Sequence, residues 1–286
     1  MPAVRGRARA TVALGLGAVS LTILAFIVIQ RANNDSSAVM TGSAVQSLSD
    51  AVAAGDLNLA TAILDGGIDP DKPLVHGLTP LMRAVIRDDI QMIRLLLDAG
   101  ADLEATAPEG LTPLHVAAEA SAVDATETLL EAGADLSIRS HNGMNTLEHA
   151  AAAGSVDMIV AIAATGVDLD AQSEIITQGH GYPIDRGSTA LGIAARAGHI
   201  DAITALLDLG AHVDAPSVVG HTPLLMAIFS GQPPELISVL LEAGADPAVR
   251  AACRTRCSYE EGDALTWAQR IGDPDTIPLL QAALGE

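Results

Sequence analysis

The stretch GLTPLHVAAEASAVDATETLLEAGADLSIRS, residues 110–140, decides the fold, because it is one copy of a repeated pattern. Another copy, GLTPLMRAVIRDDIQMIRLLLDAGADLEATA, occupies residues 77–107, 33 positions earlier. One leucine marks each copy, at spacings of 33, 33, 33, 44, 33 and 41: Leu48, Leu81, Leu114, Leu147, Leu191, Leu224 and Leu265. A fixed period of this length is typical of stacked repeats, so the sequence predicts seven units with two expansions.

Each unit also carries the same helix start and stop signals. Thr-Pro-Leu stands at Thr79, Thr112 and Thr222, where threonine suits an N-cap and proline the first helical position. A second segment then ends in a leucine pair and a glycine, as in Leu129-Leu130 and Gly133, and glycine accepts the left-handed conformation after a helix. The signals predict two helices in every unit.

These residues resemble the ankyrin-repeat family. The segments GLTPLHVAA, residues 110–118, and LLEAGAD, residues 129–135, are typical of that family, as is the period of 33. The resemblance covers residues 44–286. It implies an all-α solenoid of about seven helix–turn–helix units with hairpin loops on one side. The first unit lacks Thr-Pro-Leu-His and the last has Pro278 in its second helix, so both are expected to be end caps.

The N-terminus has the pattern of a membrane anchor. Residues 11–30 form an uncharged run of 20, long enough for a helix to cross the roughly 30 Å hydrocarbon core. Three arginines precede the run in residues 1–10, so the positive-inside rule places the body on the extracytoplasmic side. Residues 31–43 are expected to be a linker. A cleaved signal peptide is the alternative, but the apolar run exceeds the usual 7–15 residues. The architecture resembles membrane-anchored periplasmic ankyrin-repeat proteins of bacteria, so we expect the inner membrane and the periplasm.

Charge restricts the class of partner. The net charge is -20, and beyond residue 30 there are 12 basic and 35 acidic residues. Nucleic acid is itself a polyanion and is excluded as a partner. We expect another protein as the partner, and no small-molecule substrate.

Two segments depart from the repeat. Residues 171–187 contain an 11-residue expansion with His180, Tyr182 and Arg186, which is either a recognition finger or a tolerated loop insertion. Residues 251–262 contain Cys253 and Cys257, the two cysteines of the chain. In an oxidising compartment we expect them to form a local disulfide, and two thiolates without a nearby histidine make zinc the weaker alternative.

The ankyrin resemblance implies that partners bind on a concave face made of hairpin tips and first helices. The variable positions of that face, with the expansion, are His76, Leu78, Ile86, Arg87, Leu111, Glu119, His141, Asn142, Met144, His180, Tyr182, Arg186, Arg196, Val218, Val219, His221 and Phe229. The apolar ones are Leu78, Leu111, Met144, Val218, Val219 and Phe229; if exposed, they would form an interface. The alternative is that neighbouring hairpins bury them.

The sequence predicts no enzyme. It contains no HExxH, GxSxG, Walker or zinc-finger motif, so no catalytic site, metal or cofactor is expected. His115 is expected to make a structural hydrogen bond, and the neighbours Glu148 and His149 point in different directions on a helix. Two functions remain: a scaffold that binds another protein, or an inhibitor or immunity protein that blocks a secreted effector.

Overall fold

The computed structural model describes residues 48–73, 77–173, 187–252 and 261–285. These residues form seven pairs of antiparallel helices, one pair for each predicted unit. The first helices of the units are α1 (Leu48–Ala54), α3 (Pro80–Ile86), α5 (Pro113–Ala120), α7 (Thr146–Ala153), α9 (Ala190–Ala197), α11 (Pro223–Ser230) and α13 (Ala264–Ile271). The second helices are α2 (Leu57–Asp65), α4 (Ile90–Asp98), α6 (Val123–Glu131), α8 (Val156–Ala163), α10 (Ile200–Asp208), α12 (Pro234–Glu242) and α14 (Ile277–Leu284).

The helices begin and end where the sequence predicts. The Thr79 and Thr222 side chains accept hydrogen bonds from the backbone N–H three residues later, and proline follows each at the first helical position. Glycine follows the second helix of units 2–6 with φ between 83° and 100°, a conformation that few other residues adopt. The start and stop signals are therefore confirmed.

The units stack in two layers. Each first helix packs against the first helices of the neighbouring units, and the second helices form a parallel layer beside them. Small side chains make the close approach possible: Ala117, Ala118, Ala150 and Ala151 are fully buried. The first-helix layer also continues across both expansions, since α7 packs on α9 and α11 on α13. The expansions therefore leave the stack unbroken.

Acidic side chains of the hairpin loops join neighbouring units. Each accepts a hydrogen bond from a backbone N–H of the next unit, at distances between 2.8 and 3.1 Å. The pairs are Asp71 with Asp102, Glu104 with Asp135, Asp170 with His212, and Asp214 with Asp246. These four contacts form a ladder in which a carboxylate satisfies one backbone N–H of each receiving turn.

Two short strands add to the predicted all-α fold. β1 (Ala251–Ala252) pairs antiparallel with β2 (Glu261–Gly262), on either side of the cysteine segment. Trp267 lies next to them, fully buried, and its Nε1–H lies 2.9 Å from the Gly262 carbonyl oxygen and 3.1 Å from that of Ala251. The strands and the tryptophan thus fix the last unit to the stack.

Several predictions concern residues outside the described ranges. They are the anchor at 11–30, the linker at 31–43, the pair Cys253 and Cys257, and the site residues His76, His180, Tyr182 and Arg186. From Leu48 onward, none of the described helices is both long and apolar enough to span a membrane.

Candidate partner-binding surface

The predicted exposure was wrong for one class of hairpin residues. Leu78, Leu111 and Met144 are at most 6% exposed, and the polar residue at the same position of unit 6, His221, is 2% exposed. Each stands directly before the N-cap of a first helix, where a side chain turns inward and packs against the helix, as in a hydrophobic staple. These four residues belong to the core and are not available to a partner.

Glu119 is also buried, at 8% exposed, because its carboxylate is directed at the next unit. Its Oε1 lies 2.9 Å from Nδ1 of His149 on α7. The remaining predicted residues within the described ranges reach the surface. His141, Asn142 and Val218 are exposed, and the half-buried ones are Ile86, Arg87, Arg196, Val219 and Phe229.

The exposed hairpin tips rest on one another. The His141 backbone N–H donates to the Glu109 carbonyl at 2.9 Å, and that of Val218 donates to the Gly187 carbonyl at 3.2 Å. Each tip side chain also covers a glycine of the preceding hairpin, since a Cβ at Gly110 would collide with His141 and one at Gly187 with Val218. At both places, the contacting tips form an edge of the stack, which we call the hairpin edge.

A buried polar cluster connects units 3 and 4. His149 Nε2 lies 2.8 Å from Ser140 Oγ, while its Nδ1 faces Glu119, and all three residues are at most 8% exposed. Ser140 Oγ also donates toward the Met144 carbonyl oxygen at 3.0 Å. The order Ser–His–Glu is that of a hydrolase triad, but burial of the serine beneath its own hairpin leaves no approach for a substrate. The cluster instead joins the hairpin, through Ser140, to α7 and α5, which carry His149 and Glu119.

Burial changes the acid–base properties of two residues around this cluster. Desolvation raises the pKa of Glu148 to about 8, against the lowering effects of the Asn145 backbone N–H and Arg139. Desolvation, with the nearby His149, lowers the pKa of His115 to about 3. The His115 ring is therefore neutral at pH 7, and its Nδ1 accepts from the Thr112 N–H at 3.1 Å, which confirms its predicted structural role.

The cluster was missed because its members are far apart in sequence. Glu148 and His149, which are adjacent, do point to different partners, as predicted. The pairing partner of His149 is 30 residues earlier, close to one repeat length. Glu119 stands five residues after the marker leucine of unit 3, and His149 stands two residues after the marker leucine of unit 4. In the stack, these two positions of neighbouring units face each other. This relation would have identified the pair once the stacking was assumed.

Charge is divided between the two helix layers. The second helices hold ten acidic residues, all exposed, and one arginine: Asp65, Asp98, Asp124, Glu127, Glu131, Asp157, Asp201, Asp208, Glu235, Glu242 and Arg94. The first helices hold three arginines, Arg83, Arg196 and Arg270, with the exposed Asp50 and the two buried glutamates. The second-helix face is thus strongly acidic and the first-helix face is not.

Comparison with known proteins identifies the repeat. The family model described as ankyrin repeats in three copies matches residues 48–140 and 147–251. This chain belongs to the ankyrin-repeat family. No curated protein sequence matches the chain.

Solved ankyrin-repeat structures share its architecture. The ankyrin-repeat domain of human ASB11 superposes with a TM-score of 0.66 at 22% identity, covering 83% of this chain and 97% of that one. The ankyrin-repeat domain of Bcl-3, a member of the IκB family, gives 0.64 at 25% identity, covering 85% and 100%. Ankyrin-repeat domains are protein–protein interaction modules, so the exposed tips and first-helix side chains are the candidate contact surface of this one.

Proposed function

We propose that this protein is a membrane-tethered scaffold that holds a partner protein on the extracytoplasmic side of the bacterial inner membrane. The contact surface is the edge of hairpin tips together with the first-helix face. The observation that carries this proposal is the presence of exposed or half-buried, chemically varied residues on that side: His141, Asn142, Arg196, Val218 and Phe229. No catalytic step is part of the proposal.

The tether is supported by the N-terminal sequence. Residues 11–30 are uncharged, three arginines precede them, and the family match begins at residue 48. The short interval between the two would keep the repeats close to the membrane surface. A partner would therefore be a membrane protein or a protein brought to the membrane.

Site-specific photo-crosslinking in the native membrane tests the contact surface. A photoreactive amino acid is placed at His141 or Val218 on the hairpin edge, or at Glu127 on α6 as the matched control, which is also exposed. We expect a crosslinked protein from the two hairpin positions and none from Glu127. Crosslinking from Glu127 alone would place the interface on the other layer and contradict the proposal.

Protease treatment of spheroplasts tests the tether. We expect the repeats to be digested from outside while a tag on the N-terminus stays protected within the cell. Protection of the whole chain, or its release with the periplasmic fraction, would rule out the proposed anchor.

A further inference from the structure

The outer face of the second-helix layer loses its polar side chains in unit 4. In units 1–6 the fifth residue of the second helix reaches the surface, and in five of them it is polar or charged: Thr61, Arg94, Glu127, Thr204 and Ser238. In α8 this position holds Val160, which is 47% exposed. The ninth position is acidic in the same five units, as in Asp208 of α10, whereas unit 4 has the exposed Ala164. Unit 4 is therefore a gap in a row of carboxylates.

A second exposed apolar side chain lies beside this gap. Leu209 directly follows α10 and is 39% exposed, where units 2, 3 and 6 have alanine. Thr126 Oγ1 of α6 lies 3.3 Å from the Sδ of Met158, the third residue of α8, so that side of a second helix faces the preceding unit. Leu209 comes seven residues, about two helical turns, after Ala202, the third residue of α10. It therefore lies on the side of α10 that faces α8.

Val160, Ala164 and Leu209 form one apolar surface, which we call the mid-array patch. Val160 and Ala164 are four residues apart and share the outward face of α8. Leu209 borders that face from α10, which packs directly on α8. Elsewhere in the described ranges, the large apolar side chains that are exposed lie in units 1, 6 and 7. Contiguous apolar surface with a charged rim is typical of an interaction site.

Negative charge surrounds the mid-array patch. Asp157 stands one turn before Val160 on α8, and Asp201 and Asp208 lie on α10. All three are exposed, and within the described part of the chain none of them forms an ion pair. The patch also lies where α8 and α10 end, and the C-terminal end of a helix carries partial negative charge that favours cations. These surroundings attract a positively charged partner and repel a second copy of this acidic chain.

We propose that the mid-array patch docks a segment of a second protein that places one apolar side chain among lysine or arginine residues. The apolar side chain covers Val160, Ala164 and Leu209, and the flanking cations meet the three carboxylates. The site lies on the second-helix layer, separate from the hairpin edge and the first-helix face, so one scaffold would hold two proteins. Glu127, the control position for photo-crosslinking, lies on α6 and outside the patch.

The size of the patch limits the anchor to a single large side chain. Val160 and Ala164 lie about 6 Å apart along α8, and α10 packs about 8–10 Å away. A phenylalanine or leucine covers an area of that size. Because the carboxylates around it are exposed, their attraction for the partner is screened by salt. The affinity should therefore fall as the salt concentration rises.

Fluorescence polarisation with synthetic peptides tests the proposal on the purified full-length chain in detergent. The probe is a labelled alanine-based peptide with a phenylalanine between two pairs of lysines. One control peptide replaces the lysines with glutamates, and another replaces the phenylalanine with serine. Detergent without protein gives the background. We expect the probe to bind at least about tenfold more tightly than either control.

A double variant tests the apolar part of the site. Val160→Ser/Leu209→Ala introduces the residues that unit 6 carries at these positions, Ser238 and Ala243. We expect it to weaken binding of the probe at least about fivefold. The matched control is Ile68→Ser, which alters an apolar side chain that is 46% exposed in unit 1 and should leave the affinity unchanged. Urea unfolding of each variant shows that the fold is retained.

A second double variant tests the carboxylates. Asp201→Asn/Asp208→Asn should weaken binding at least about fivefold and make the affinity less dependent on salt. The control Glu235→Gln/Glu242→Gln removes the same charge from the same two positions of unit 6. At 0.15 M salt the Debye length is about 8 Å, so this control should change the affinity less than about twofold. The comparison separates contact at the patch from the net charge of the chain.

Four results would overturn the proposal. Equal affinity of both double variants and the unsubstituted chain would place the binding elsewhere. Unchanged affinity of the asparagine variant alone would make the occupant uncharged. A glutamate peptide that binds as tightly as the probe would exclude a cationic partner, and absence of binding by all peptides would reject the docking site. None of these results bears on the proposed scaffold function, which photo-crosslinking at His141 and Val218 decides separately.

Discussion

The hairpins at residues 140–144 and 217–221 have the same backbone hydrogen bonds, but the helix side chains beneath them differ. In each, a serine N–H donates to the carbonyl of the fourth residue on, Met144 or His221, at 3.0 and 2.9 Å. In each, a glycine N–H returns to the serine carbonyl at 2.8 Å. The fold therefore specifies one hairpin, whatever lies beneath it.

The helix slots beneath the two hairpins decide how the units are joined. Under the first, Glu119 of unit 3 faces His149 of unit 4, and Ser140 completes a polar chain. The same two slots under the second hold Arg196 and the buried, apolar Met226, and the rings of His221 and Phe229 pack nearby. The junction of units 3 and 4 contains buried hydrogen bonds, whereas Arg196, at the junction of units 5 and 6, is half-buried. The difference teaches that one hairpin backbone accommodates either a polar or an apolar contact between the helices beneath it.

The largest expected effect comes from removing Trp267, whose ring packs edge to face on Phe229 where units 6 and 7 meet. Trp267→Ala deletes a fully buried side chain and its donor to Ala251 and Gly262. We expect a loss of about 3–5 kcal/mol in the free energy of unfolding, measured by urea denaturation. The control, Ile271→Ala on the same helix, alters a side chain that is 47% exposed and should cost less than about 1 kcal/mol. Similar losses in both variants would mean that the buried Trp267 ring contributes no more to the stability of unit 7 than an exposed side chain does.

The polar junction is broken by His149→Leu. This change leaves the Glu119 carboxylate buried without its partner, so we expect a loss of about 2–4 kcal/mol, again by urea denaturation. Met226→Leu, the same slot in the other junction, should cost less than about 1.5 kcal/mol. Adding Glu119→Met to His149→Leu should restore part of the stability, because an apolar pair then replaces the buried carboxylate that has lost its hydrogen-bond partner. A double variant no more stable than His149→Leu would contradict this account.

The pH dependence of stability isolates Glu148. Its pKa is raised to about 8 in the folded chain, from the ordinary 4.5, so the folded state holds a proton that the unfolded state has lost. The free energy of unfolding should therefore fall as pH rises from about 4.5 to 8, by at most about 1.4 kcal/mol per unit. His115, with its pKa lowered to about 3, acts in the opposite direction between pH 3 and 6.5.

The clearer window is therefore pH 7 to 8, where His115 is mostly deprotonated in the unfolded chain as well and contributes little. Urea midpoints of the unsubstituted chain should decline across this window, while those of Glu148→Gln should decline less, since glutamine keeps the capping contact without titrating. Parallel curves for the two proteins would show that another group is responsible.

The smallest effect is expected at the hairpin tips. Val218→Ser and His141→Ser change exposed side chains at the two junctions, so each should alter the free energy of unfolding by less than about 0.5 kcal/mol. A larger loss at Val218, which covers Gly187, would show that the tip edge contributes to stability as well as to binding.

The sequence was sufficient for the architecture and insufficient for the surface. Marker leucines, threonine caps and glycine ends predicted seven helix pairs, because each signal acts within a few residues. Leu111 and Met144 were placed on the wrong side, since their burial depends on the hairpin of the neighbouring unit. The signal was present: apolar residues recur directly before the N-cap, where side chains pack inward.

Contacts between units account for the remaining misses. The Glu119–His149 pair spans 30 residues and becomes visible when the facing slots of stacked helices are known. β1 and β2 are two residues long, too short for any alternation to appear in the sequence. Both features are set by packing between units, which local patterns do not encode.

The carboxylate ladder has a consequence for how the length of this protein can change. Asp71 meets the backbone of Asp102 and Glu104 meets that of Asp135, so the same contact recurs at an interval of 33 residues. A deletion of 33 residues within units 2 and 3 would bring Asp71 opposite Asp135 and recreate the junction. A deletion of 32 or 34 would leave the carboxylate without its N–H and shift every later slot. Gains and losses of material within the regular array are thus expected to occur in whole units, so that the number of units can vary during evolution while each junction keeps its fit.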